Sequence, residues 1–77
     1  MDDLAQRVLD MFMQMNSETL DLHTLLEAGG NDPKPREQVI DTVSQLVRED
    51  LLVERGSDFY ALTPKGQAAL DNLRANQ

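Results

Sequence analysis

From Asp3 to Met15 apolar residues recur at intervals of three and four: Leu4, Val8, Met11, Phe12 and Met15. That spacing puts them on one stripe of an amphipathic helix. At 100° per residue, Leu9 and Met13 fall beside the stripe, on its outer edge. Asp2 and Asp3 place carboxylates at the positive end of the helix macrodipole. Asn16-Ser17-Glu18 breaks the pattern. A short second helix follows, with Asp21 as N-cap and Leu22, Leu25 and Leu26 facing inward. Gly29-Gly30 ends it, since glycine accepts the left-handed geometry of a helix C-terminus. After a turn at Asn31–Lys34, a third helix is predicted from Pro35 to Glu49. Val39, Ile40, Val43, Leu46 and Val47 form its buried face, and Gln38, Asp41, Thr42, Gln45, Arg48 and Glu49 point away from it. Asp50 then takes the left-handed position by which the chain leaves the helix.

Beyond Asp50 the period changes from 3.6 to two. Leu51 and Val53 share one face of a short run, and Tyr60 and Leu62 share one face of another. Gly56-Ser57-Asp58 lies between them, which predicts a β-hairpin over 51–55 and 59–63. Thr63-Pro64 supplies an N-cap followed by proline at the first helical position. Ala68, Ala69, Leu70 and Leu73 line a last helix. The expected fold is mainly α with a small β-hairpin, in the order helix, helix, helix, strand, strand, helix, as one domain over residues 1–77.

The stretch Leu51–Leu70, LLVERGSDFYALTPKGQAAL, pairs a leucine-rich strand and a polar, glycine-containing tip with Tyr-x-Leu-Thr-x-x-Gly opening a helix. It resembles the wing and following helix of winged helix-turn-helix proteins, in particular small bacterial and archaeal regulators of the multiple-antibiotic-resistance and phenolic-acid-decarboxylase types. The resemblance covers residues 35–70, and the two amino-terminal helices share only its pattern. It implies a winged-helix arrangement in which Tyr60 and Leu62 pin the second strand to the core, Thr63 caps the last helix and Gly66 permits close approach of helix and hairpin. It also implies that the third helix is presented to the DNA major groove.

Composition qualifies that implication. The 77 residues carry 14 acidic and 7 basic side chains, for a net charge of −7. Seven of the acids fall in residues 1–32 against Arg7 alone, whereas Lys34, Arg36, Arg48, Arg55 and Lys65 cluster in residues 33–66. An acidic amino-terminal half thus adjoins a nearly neutral remainder. There is no cysteine, so disulfides and thiolate metal sites are excluded. No apolar run reaches the roughly 18 residues of a membrane span, and the acidic start is unlike a secretion signal. The expectation is a cytoplasmic chain with no membrane partner.

Under the resemblance, Lys34, Arg36, Arg55 and Lys65 contact phosphates, with Arg48 near them, while Gln38, Thr42 and Gln45 face base edges. Glu37, Asp41 and Glu49 meet phosphates with the wrong sign. Each of these side chains also has the plainer reading of a solvated helix face. Met11, Met13 and Met15 read first as gap-filling core. Leu9 and Met13, near Leu70 and Leu73, form the expected edge for a homodimer, and Phe59 is a second partner contact. His23 is the only histidine and reads as a surface or capping residue, so no metal and no cofactor are expected. No phosphate loop, nucleophile elbow or metal spacing points to catalysis. Two partner classes remain: duplex DNA, bound by a regulator of transcription, or a protein docked on the same helix and wing.

Overall fold

The computed structural model describes residues 3–29 and 33–75; the side chains of Gly29 and of residues 33–35 lie outside that description. The architecture is mainly helical with a small three-stranded antiparallel sheet. Along the chain run α1 (Asp3–Gln14), β1 (Thr19–Asp21), α2 (Leu22–Leu25), a 3₁₀ turn (Leu26–Gly29), α3 (Pro33–Arg48), β2 (Leu52–Glu54), β3 (Phe59–Leu62) and α4 (Pro64–Ala75). The sheet order is β1-β3-β2. No described helix is long and apolar enough to cross a membrane.

One core holds these elements together. Ala5, Val8, Leu9 and Phe12 of α1, Leu20 of β1, Leu25 of α2, Val39, Val43 and Leu46 of α3, Leu51, Leu52 and Leu70 form a single buried cluster. Two helix ends were built by the same device. Asn16 and Asp50 adopt left-handed φ values of 50° and 62°. At each, the following N–H reaches back across the last turn: Ser17 to the Phe12 carbonyl at 3.1 Å and Leu51 to the Leu46 carbonyl at 2.9 Å. These bonds satisfy carbonyls that the helix itself leaves unpaired. Asp50 therefore holds the position read from its sequence context. Leu51 and Leu46 are both buried, which adds the apolar contact that accompanies this motif.

The hairpin forms where the change of period places it, with Leu52 opposite Leu62, Val53 opposite Ala61 and Glu54 opposite Tyr60. Leu52 rather than the Leu51/Val53 face carries β2 into the core, however, and Val53 is 37% exposed. Arg55 N–H donates to the Phe59 carbonyl at 2.7 Å, leaving Gly56-Ser57-Asp58 as the loop. Gly56 and Asp58 both have positive φ there. β1 is the element that periodicity did not reveal. Its three residues pair with β3 (Thr19–Ala61, Leu20–Tyr60, Asp21–Phe59), about 40 positions on, and bury Leu20. Three residues are too few to display a period, and the pairing is tertiary.

Several expected faces are rotated. Leu9, expected at an exposed edge of α1, is 0% exposed, whereas Met15, expected on the core stripe, is 54% exposed. The buried stripe of α1 is Ala5, Val8, Leu9 and Phe12, because α3 and α4 both pack on α1 and the stripe turns towards them. Met11 is half-buried against the core, and Met13, read first as gap-filling core, stands at the surface instead. On α3 only Val39, Val43 and Leu46 are buried, with Val47 half-covered; Ile40, one step round the helix, is 43% exposed. In α4, Ala68 is exposed rather than inward, while Leu70 is buried. α3 also begins at Pro33, two residues before the expected start, since a proline is tolerated anywhere in a first turn that lacks acceptors for its N–H groups.

Candidate functional site

The junction between α3, the hairpin and α4 is where the chain's special residues meet. The Thr63 hydroxyl donates to the Asp50 carbonyl at 2.5 Å and accepts from the Gly66 N–H at 2.9 Å. The second bond is the N-cap read from Thr-Pro; the first ties that cap to the end of α3. Thr63 N–H also donates to the Leu51 carbonyl at 3.2 Å. Gly66 lies directly over this bond: a Cβ there would stand 2.0 Å from the Leu51 oxygen. No side chain fits at that distance, so Gly66 is required for α4 to approach the hairpin. The Lys65 ammonium closes the group by donating to the Glu49 carbonyl at 3.0 Å, at the negative end of α3.

The junction presents α3 with its buried stripe inward and the opposite stripe to solvent. Stepping 100° per residue, the outward seam runs Glu37, Asp41, Ser44 and Arg48, with Ile40 and Gln45 on its two flanks. All six are exposed. Glu37 and Asp41 were read from the sequence as facing the partner with the wrong sign for phosphate, whereas Ile40 and Ser44 were not singled out as contact residues. The signal for Ile40 was present, however: the Val39, Val43, Leu46 stripe is complete without it, and Ile40 lies 100° away from Val39.

The expected nucleic-acid residues divide among three places. Arg36, Gln38, Gln45 and Arg48 are exposed on α3, and Thr42 is half-buried at the margin of the face. Gln38 and Thr42 sit on one side of the seam rather than at its centre. The Arg48 guanidinium donates to the Gln45 side-chain oxygen at 2.9 Å, so these two act as a unit. Lys65 joins α3 only at its C-terminal end, with its ammonium already bonded. Arg55 is elsewhere: it shares a sheet face with Thr19, Ala61 and Phe59 and lines a groove of about 680 Å³ with Asn16, Glu18, Pro64 and Gln67. That face is opposite the one carrying Leu20, Leu52 and Leu62 into the core. Lys34 lies outside the residues whose side chains are described.

Among the expected partner residues, Leu9 is enclosed in the core and offers no surface. Met13 is 37% exposed and Phe59 is 49% exposed, but they sit on α1 and β3 and do not form one patch with α4. Leu70 is buried and Leu73 half-buried. The α1–α4 seam is therefore filled within the chain, leaving a shallow groove of about 190 Å³ lined largely by Asp3, Gln6, Arg7, Asp10 and Arg74.

Among the described residues two titrating groups are displaced, and both belong to the sheet end of the molecule. The Thr24 hydroxyl donates to the Asp21 carboxylate at 2.5 Å and lowers its pKa. Burial raises the pKa of the Tyr60 phenol, and the nearby Glu54 and Asp58 carboxylates raise it further. Among the described residues no three His, Cys, Asp or Glu side chains are grouped to hold a metal ion. The chain matches no known protein family, and neither curated proteins nor solved structures give a match.

Proposed function

We propose that the chain is a non-catalytic, winged-helix interaction module whose contact helix is α3 and whose partner is a protein. The element order and the β1-β3-β2 sheet support the winged-helix reading, as does the hairpin joined to α4 through Thr63 and Gly66. These agree with the resemblance carried by residues 51–70.

The observation that carries the choice of partner is the make-up of the outward seam of α3. Glu37 and Asp41 stand on it beside an exposed isoleucine, and Arg48 is its one cation among the residues whose side chains are described. Duplex DNA is a dense array of phosphates, and affinity for it comes chiefly from cations that replace its counterions. Two carboxylates on the seam oppose that, and an exposed isoleucine gains nothing from phosphates. A protein surface meets the same seam favourably, because apolar area and mixed charge are what protein interfaces bury. The net charge of −7 acts in the same direction at long range. One observation favours duplex DNA instead: the Arg36 and Arg55 guanidiniums are exposed and form no ion pair among the described residues.

Titration of the isotopically labelled protein with a random-sequence duplex, at low and then moderate salt, separates the two. The protein reading expects α3 amides to stay in place at both salts. Shifts at residues 36–48 that weaken as salt rises would replace it with the duplex reading.

A further inference from the structure

We infer that the protein docked on α3 is a second copy of this chain, with the two helices antiparallel about a two-fold axis. The inference rests on the protein reading above and names its partner. The outward seam runs, in order, Glu37, Asp41, Ser44, Arg48: acid, acid, hydroxyl, base. Read backwards against itself, that order is self-complementary. With the axis between Asp41 and Ser44, Glu37 faces Arg48 of the second copy and Asp41 faces its Ser44, and both pairs recur on the other side of the axis. Such reciprocity is what a two-fold interface requires, since the same patch must serve both partners.

The dimensions agree. Glu37 and Arg48 are eleven residues apart, about 16 Å or three helical turns, so both lie on one side of the cylinder. Ser44, a small residue beside the axis, lets two helices approach closely. The two-fold keeps each flank on its own side, so the Ile40 side chains of both copies share one flank of the crossing, and the 43% exposure of each supplies the apolar area to be buried. The two ion pairs lie at the rim and set direction and register more than affinity. One helix crossing buries less than the area of a standard stable interface, and the net charge of −7 on each copy opposes their approach, so the association is weak and reversible.

The other open faces lack this self-complementarity. At β2 the edge strand is three residues long, too short to pair a second copy stably, and its Leu52 is already buried in the core. At β1 the Ser17 hydroxyl already donates to the Thr19 carbonyl at 2.6 Å. The α1–α4 seam is occupied by the chain's own Leu9 and Leu70.

Analytical ultracentrifugation of the full chain over a wide concentration range tests the inference, with Glu37→Arg, Arg48→Glu and the double variant beside the unaltered protein. Both positions are exposed, and circular dichroism verifies that each variant keeps its helices. The unaltered chain is expected to pass from monomer to dimer as concentration rises. Each single reversal sets like charges against each other and is expected to weaken the dimer by roughly tenfold, and the double reversal to restore it. An unaltered chain that stays monomeric throughout overturns self-docking while leaving the protein reading in place. Equal dimerisation by all four proteins overturns the choice of face. Duplex binding mapped to α3 overturns both the inference and the reading beneath it.

Discussion

The junction around Thr63 and the outward seam of α3 are close neighbours with opposite characters. At the junction the groups that join the elements are bonded inside the chain: one hydroxyl serves the Asp50 carbonyl and the Gly66 N–H, and Lys65 serves the Glu49 carbonyl. On the seam the only side-chain bond among the described residues joins Arg48 to Gln45, which flanks it. Residues at the junction are determined by geometry that other side chains cannot satisfy. Glu37, Ile40, Asp41 and Ser44 satisfy no requirement of the fold, and an exposed isoleucine between two acids gains nothing from water. The first region therefore explains the structure, and the second is the face on which the proposed partner docks.

Substitution at the two regions should separate them sharply. Gly66→Ala is expected to have the largest effect, because its new Cβ would stand 2.0 Å from backbone, at the Leu51 oxygen. Relief needs α4 to shift from the hairpin, a loss of about 3 kcal/mol or more, read from the urea midpoint. Thr63→Val keeps the shape and removes both hydroxyl bonds, leaving the Gly66 N–H and the Asp50 carbonyl without it. A loss of about 1–2 kcal/mol is expected in the same measurement. Glu37→Gln on the seam is expected to stay within about 0.5 kcal/mol. Comparable losses at Glu37 and Thr63 would erase the distinction between the regions.

The smallest effect concerns Tyr60, whose raised phenol pKa reports on the sheet end of the core. Burial and the Glu54 carboxylate both disfavour the phenolate in the folded chain. The unfolded chain releases its proton near the ordinary value of 10.0, before the folded chain does. Stability from this group is thus complete below that value and is lost as pH rises from it through the raised folded pKa. Urea midpoints measured across that window should fall for the unaltered protein and fall less for Tyr60→Phe. Equal slopes would show that Tyr60 does not carry the alkaline loss.

The sequence made the junction legible because its residues have few alternatives. Thr-Pro before a helix, a glycine three positions on from the threonine, and an aspartate where a helix must turn left each have a specific backbone meaning. The hairpin was legible from its change of period and its glycine-containing tip. β1 was not, because its three residues acquire strand geometry only by pairing with β3. Nor was the rotation of α1: Leu4, Val8, Met11, Phe12 and Met15 make a good stripe in isolation, but α3 and α4 together select Ala5, Val8, Leu9 and Phe12. Periodicity finds an apolar stripe, while neighbouring elements decide which edge of it is covered. For the same reason Ile40 passed as core and Leu9 as surface, and the candidate contact face shifted from the flank at Gln38 and Thr42 to the seam at Glu37 and Asp41.

The central claim is that a second copy of the chain docks on the outward seam of α3, and a dilution series of amide spectra tests it most directly. Concentration-dependent shifts are predicted at residues 37, 40, 41, 44, 45 and 48, with the junction and the buried stripe unmoved. Shifts that map instead to α1 and α4, or spectra unchanged at every concentration in a chain whose α3 amides respond to duplex DNA, would contradict it.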